Sequence, residues 1–340
     1  MRPLAPWQQR VYDGAVAALG SGRLGHGLLL CGPSRLGKRE VAERLARRML
    51  CTAPAGGGEP CGQCRSCRLL DSRSQAEPVE VRPDGSLAHP WGHPAHPDLL
   101  LVGYAVNHKV KPPRPRGEIV IDQIRELGEQ MALTPQYGGA KVAIIDPAEA
   151  VNNAAANALL KTLEEPVPNR YLWLVAAEPA RLPATIRSRC QKLEFRLPPH
   201  DEGRQWLLGQ GHDPAAADEA LRVSRGHPGQ AHAWLEEGVL ELRREVIEGL
   251  DGVAAGRVAP PLLAQAWTAD DRADLRLRLA ADLAVERAAA GLTDPARTRR
   301  LAEWFDRANR ARDLLRSTVR ADLVVVELLL AWRAAHARPR

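Results

Sequence analysis

The sequence predicts an α/β protein: a mostly parallel sheet covered by helices over residues 1–196, followed by a purely helical remainder. Three observations carry this. Short apolar runs of strand character alternate with helical patterns as far as Phe195, a glycine-rich loop joins the first of those strands to a helix, and from Pro198 onward the strand pattern stops. Alternation of strand and helix requires crossover connections, and these place helices on both faces of a parallel sheet.

In chain order, Leu28 to Cys31 reads as a buried strand, Lys38 to Leu50 as a helix and Leu99 to Val102 as a strand. A helix over Asp122 to Leu133 would be opened by an Asp122 cap. Next come a strand over Val142 to Asp146, a helix over Ala148 to Glu165 stopped by Pro166, and strands at Leu172 to Ala176 and Leu193 to Phe195. Between Ser72 and Gly117 the pattern dissolves into Pro, Gly, His and Arg, so Ala76 to Pro97 and Asn107 to Gly117 are expected as surface loops or partly disordered insertions. Short helices run to about Glu237, and longer ones cover Asp270 to Gly291, Asp294 to Leu315 and Ala321 to Ala335. Leu275, Leu279 and Leu283 mark one buried face of the first of these three. The last is apolar nearly all round and is expected deep in a bundle or an interface.

A chain of 340 residues is long enough for two or three domains. Its net charge of +6 comes largely from arginine and suits nucleic acid or acidic partners without requiring either. No apolar run reaches the roughly 18 to 20 residues that span a bilayer, and Met1 to Gln9 has no signal-peptide pattern, so a cytoplasmic location without membrane contact is expected. In a reducing compartment, closely spaced thiols are metal ligands rather than disulfides.

Gly32-Pro33-Ser34-Arg35-Leu36-Gly37-Lys38 follows a strand and opens a helix, the setting of a phosphate-binding loop. Glycines let backbone amides wrap a phosphate and the lysine reaches the terminal phosphates. The next position needs Ser or Thr to hold magnesium, and here it is Arg39. The apolar strand ending in Asp146 supplies the second acidic element of such a site, but Pro147 follows where a hydrolysing enzyme of this type places a glutamate to polarise water. Glu149 is expected to be solvated in a first helical turn. The loop signature survives without the chemistry. Cys51, Cys61, Cys64 and Cys67 have the spacing C-x9-C-x2-C-x2-C, which lets four thiolates converge on one structural zinc; an iron–sulfur cluster is the other group they could hold. Cys31 and Cys190 read as small core residues, and His89, His93 and His96 lack a matching carboxylate or cysteine for a second site.

The stretch Asn157-Ala158-Leu159-Leu160-Lys161-Thr162-Leu163-Glu164-Glu165-Pro166, together with Leu182-Pro183-Ala184-Thr185-Ile186-Arg187-Ser188-Arg189-Cys190, closely resembles the subunits of bacterial DNA polymerase III clamp loaders, which are AAA+ proteins. Gly25-His26, the loop remnant and the zinc cysteines extend the resemblance over Arg23 to about Phe195. It implies a RecA-like AAA+ parallel-sheet domain (1–196, with a zinc module at 51–67 and an irregular insertion at 72–118), a helical lid (197–241) and an all-α collar for oligomerisation (242–340). Gly32, Gly37, Lys38 and Asp146 would be remnants of a nucleotide site that does not hydrolyse ATP. Gly226-His227-Pro228-Gly229 stands where the family's ATPases carry a phosphate-sensing arginine. Arg189 of the Ser188-Arg189-Cys190 triplet would act as a finger on a neighbouring subunit's ATP. The partners implied are the gamma/tau and delta subunits and, through the assembly, the sliding clamp and primed-template DNA. Three other readings compete: an active ATPase of the same family, a P-loop kinase whose zinc knob covers a small substrate, and a stand-alone zinc-finger DNA-binding protein, for which no base-reading helix or aromatic platform is evident. Arginines around Arg44 to Arg48 or Arg73 offer a weak DNA contact within such an assembly, although arginines on a helix surface are usually just solvated.

Overall fold

The computed structural model describes residues 3–137, 139–165, 167–290, 294–315 and 319–336. Helix α1 (Pro6–Gly20) leads into β1 (Gly27–Cys31), α2 (Lys38–Leu50), α3 (Arg65–Asp71), the two-residue strands β2 (Arg73–Ser74) and β3 (His93–Pro94), and β4 (Leu99–Val102). The two-residue strands β5 (Val106–Asn107) and β6 (Arg114–Pro115), α4 (Ile121–Ala132), β7 (Lys141–Ile145), α5 (Asn153–Glu164), β8 (Arg170–Ala176), α6 (Ala184–Arg187) and β9 (Gln191–Glu194) follow. Then come α7 (His200–Gly209), α8 (Pro214–Val223), α9 (Pro228–Glu236), α10 (Val239–Ala254), α11 (Pro260–Trp267), α12 (Ala273–Ala290), α13 (Pro295–Leu315) and α14 (Ala321–His336).

The main sheet has the order β4-β7-β8-β1-β9, and every pairing in it is parallel. Because side chains alternate along a strand, its buried residues sort into two layers. Leu28, Leu30, Val142, Ile144, Trp173 and Val175 pack with residues of α1 and α2. Leu29, Cys31, Ala143, Ile145, Leu172 and Leu174 pack with residues of α4 and α5. Burial on both faces explains why the strands read as unbroken apolar runs.

Several expectations need correction. Asp122 is not the cap of α4: Val120 takes that place, and its amide donates to Gln123 Oε1 at 3.1 Å. The helix expected from Ala148 is divided into a single turn at Ala148–Ala150 and α5, because Asn152 Oδ1 accepts from the Ala155 amide and starts a new helix. Pro166, expected to end it, lies outside the described residues, as does Gly291. The insertion has local order, with β2 paired to β3, β5 to β6, and Val81 bridged to Leu87.

The chain divides into two compact units, Met1–Ala231 and His232–Arg340. In the second, Trp304 and Trp332 meet edge to face at 4.6 Å. Each indole N–H has a backbone acceptor, Trp304 to Leu328 O at 2.9 Å and Trp332 to Leu250 O at 3.0 Å, so neither pays for burying a polar atom. Leu279 and Leu283 are buried as expected, with Leu275 half-buried. Helix α14 is not buried all round: Val325, Leu328, Leu329 and Trp332 face inward, while Leu323 and Leu330 are 56% and 42% exposed. Among the described residues no helix is long and apolar enough to cross a membrane.

Replacing Trp332 with alanine should cost roughly 3–5 kcal/mol, since it removes a fully buried ring that joins α10, α13 and α14. Denaturant unfolding followed by circular dichroism measures this, and a loss below about 1 kcal/mol would contradict the packing described.

Candidate functional site

The loop after β1 carries its own fillings. Gly37 has φ +78°, a left-handed conformation that favours glycine, and the Gln8 side chain of α1 occupies the space a Cβ there would take. Gln8 Nε2 and Trp7 Nε1 both donate to Leu36 O, at 3.1 and 3.2 Å. Lys38 turns back on the loop: its Nζ donates to Gly32 O at 2.8 Å and Pro33 O at 2.6 Å. Burial lowers its pKa to about 8 against the opposing pull of Asp146 and Glu149.

Arg39 is buried, and each nitrogen of its guanidinium has a partner. Nε donates to Glu43 Oε1 at 2.8 Å, Nη1 to Asp146 Oδ2 at 3.2 Å, and Nη2 to His89 Nδ1 at 3.0 Å. Glu43 also receives Arg73 at 2.6 Å, and Arg82 stands 3.8 Å from Asp146. The acidic residue that a metal would neutralise in a hydrolysing site is thus neutralised by a fixed side-chain cation. Since an arginine only donates, His89 Nδ1 is an acceptor and its proton resides on Nε2, 3.5 Å from Glu80 Oε2. Burial first, then Arg39 and His93, lowers the His89 pKa to about 3.

The remaining machinery is likewise altered. Pro147 follows Asp146, and Glu149 is not solvated: its Oε1 accepts from the amides of Ala177 at 2.9 Å and Glu178 at 3.2 Å, just past β8. At the start of α9, a Cβ on Gly229 would lie 1.8 Å from Arg35 O, so this turn rests on the loop backbone and leaves no room for a side chain. The carboxylate that sequence reasoning missed near the insertion histidines is Glu80, with His93 Nε2 at 2.7 Å. His96 lies elsewhere, with its Nε2 2.6 Å from Ser66 Oγ.

Cys51, Cys61, Cys64 and Cys67 come together with all four sulfurs within 4.8 Å of one another. The Cys51 to Cys61 and Cys51 to Cys64 separations, 3.6 and 3.9 Å, bracket the spacing of about 3.8 Å between sulfurs bound 2.3 Å from a tetrahedral ion. Cys51 ends α2, and Cys64 caps α3 by accepting from the Cys67 amide at 3.4 Å. Backbone amides of Gln63 and Cys64 lower the Cys61 thiol below its usual range, which favours the thiolate a metal requires. Arg47 ties the module to α2 through Asp71 and Cys67 O. These four residues can hold a metal ion.

Arg189 lies between α6 and β9, on the surface of the first unit. Its Nη2 meets Glu164 Oε1 at 2.6 Å and Nη1 donates to Thr185 O at 2.9 Å, with 38% of the side chain exposed. Ser188 Oγ donates to the same carbonyl at 3.1 Å, and Cys190 is buried, its thiol raised to about 11. His26 Nε2 lies 3.0 Å from Leu163 O, so the Gly25-His26 segment touches the end of α5.

A parallel sheet with this loop, this aspartate strand and a covering helical turn has the arrangement of a P-loop protein, with Arg39 at the position where such a loop carries Ser or Thr. A family model described as DNA polymerase III, delta subunit, matches residues 7–199. The DNA polymerase III subunit delta' of Pseudomonas aeruginosa is 35% identical over 269 residues, which are 78% of this chain and 72% of that protein. The Escherichia coli subunit delta' is 31% identical over 248 residues, 72% of this chain and 65% of the relative. A gamma subunit-related protein of Thermotoga maritima aligns over 98% of this chain and all of its own, with a TM-score of 0.44 and 15% identity. The chain belongs to the DNA polymerase III delta-prime subunit family.

The His89 shift has a consequence in acid. Between about pH 3 and the ordinary value of 6.5 the unfolded chain binds a proton that the native imidazole refuses, so stability from this group is complete above pH 6.5 and drains away as pH falls toward 3. The slope is at most about 1.4 kcal/mol per pH unit. His89→Gln should flatten this acid limb in urea unfolding between pH 4 and 7; an unchanged slope would contradict the buried neutral ring.

Proposed function

We propose that this chain is a non-catalytic subunit of a DNA polymerase III clamp loader, which helps place a sliding clamp on primed DNA during replication. The reading rests on one observation above the others: Arg39 pairs with Asp146 and Glu43, so the position that would bind magnesium is filled by a side chain. Lys38 is spent on the loop's own carbonyls, and Gly229 supplies no cation. An isolated chain built this way does not hydrolyse ATP.

Its proposed positive contribution is Arg189. The side chain is half-exposed, and its one ion pair among the described residues is with the surface residue Glu164 at the end of α5, an attachment weak enough to exchange for a triphosphate. Presented to a neighbouring gamma/tau subunit, it would stabilise charge on the transferring phosphoryl group, with Ser188 and Thr185 shaping the turn that carries it. The parts would be a sheet domain over 1–196, a lid over 197–241 and a collar over 242–340 that joins gamma/tau and delta.

The metal proposed for the four cysteines is structural zinc. All four positions are taken by sulfur, so the ion would fold the knob between α2 and α3 and has no open site for chemistry. Purified protein should contain one zinc per chain by elemental analysis. Cys61→Ser should lower that occupancy and the thermal stability together; full stability without metal would remove the assignment.

In a reconstituted complex, Arg189→Ala should leave assembly intact and slow hydrolysis at the adjoining site by about 100-fold or more, which lowers the DNA-stimulated turnover by that site's share. Unchanged turnover in an intact complex would remove the finger.

A further inference from the structure

Most of the basic side chains near the zinc module and the rebuilt loop are committed to the fold. Arg44 lies 5.7 Å over the Tyr12 ring, Arg47 pairs with Asp71, Arg48 with Glu59, and Arg73 with Glu43. The arginines that the sequence offered for DNA contact are therefore occupied.

The β5–β6 hairpin differs. Residues 107–117 carry Lys109, Lys111, Arg114 and Arg116 with no aspartate or glutamate among them. Lys109 reaches Asp122 at 2.8 Å, but both ends of that pair are exposed, at 77% and 54%. Arg116 makes a long contact of 3.4 Å to Asn107 Oδ1. Lys111 and Arg114 are exposed and have no ion pair among the described residues. Arg125, exposed on α4, extends the same basic surface around Asp122.

The hairpin is built to hold this charge in place. Val106 is buried at its base, Val106 and Asn107 pair with Pro115 and Arg114, the Arg116 amide donates to Ala105 O at 2.9 Å, and the Lys109 amide to Asn107 Oδ1 at 3.0 Å. It also leaves the C-terminal end of β4. In a parallel sheet that is the end where the loop after β1 and Asp146 after β7 emerge.

Concentrated cations without anchoring apolar side chains match a phosphate backbone better than a protein surface. Protein interfaces draw their affinity from buried aromatic and aliphatic anchors, and the hairpin exposes one valine, Val110. We propose that the hairpin over 106–115 is a sequence-independent contact for the phosphodiester backbone of DNA, made by this chain itself. The inference is separate from the assembly reading: failure to join gamma/tau and delta would sink that reading and leave this one standing.

The test uses the full chain and a fluorescent duplex with a single-stranded overhang, titrated by anisotropy from about 50 to 200 mM salt. Each phosphate neutralised contributes a slope of about 0.9 in log K against log salt. Lys111→Gln/Arg114→Gln, which breaks no ion pair, should reduce the slope by up to about 2 and weaken binding at low salt about ten-fold, with an unchanged melting temperature. Adding Lys109→Gln should reduce the slope further. Wild-type protein that does not bind, a double variant with the wild-type slope, or polyglutamate competing as well as DNA at equal charge would each overturn the proposal.

Discussion

The guanidinium of Arg39 is the element around which the rest of this site is arranged. It brings a permanent positive charge between Glu43 and Asp146 in a place shielded from water, and it donates a third bond to a histidine held neutral. A metal ion could do the same neutralising work only reversibly, with nucleotide. A side chain does it always, so Asp146, Glu43 and His89 are kept in a geometry that no longer depends on a ligand. Removing the cation would strand buried carboxylates at a cost of several kcal/mol, which is why the change at position 39 is built into the structure rather than a lesion in it.

Around that pair the neighbouring elements have closed in. Helix α1 places Trp7 and Gln8 on the loop carbonyl of Leu36, Lys38 folds onto the loop, and the first turn of α9 touches Arg35. Of these groups Lys38 is the cation that would otherwise reach a phosphate, and here it is held by the loop's own carbonyls. The first unit also presents the half-exposed Arg189 and the basic hairpin at its surface, and carries a cysteine knob anchored by Arg47 to the helix that follows the loop.

Much of this was legible in the sequence because it rests on local pattern. The β1, α2, β4 and β7 segments are continuous apolar runs or amphipathic periods beside strong punctuation, and the four cysteines announce themselves by spacing. What escaped depends on contacts distant along the chain. Nothing near Gln8 says that it will meet Leu36, and Glu80 lies thirteen residues from His93 in a segment without periodicity. Glu149 looked like a solvent-facing helical residue because its true partners, the amides of Ala177 and Glu178, belong to the end of another strand. Composition alone does not sort the apolar residues of α14, whose Val325, Leu328, Leu329 and Trp332 are buried while Leu323 and Leu330 are exposed. The arginines of α2 could not be placed for the same reason, since their partners Tyr12, Asp71 and Glu59 sit on other elements.

With Arg39 fixed on Asp146 and Glu43, the loop has no place for a magnesium-nucleotide pair. Calorimetric titration of the purified chain with ATP and magnesium tests this most directly. It should give no saturable heat up to about millimolar nucleotide, where binding is worth about 4 kcal/mol. Magnesium-dependent binding in the micromolar range, with release of inorganic phosphate from protein freed of contaminating ATPases, would contradict it.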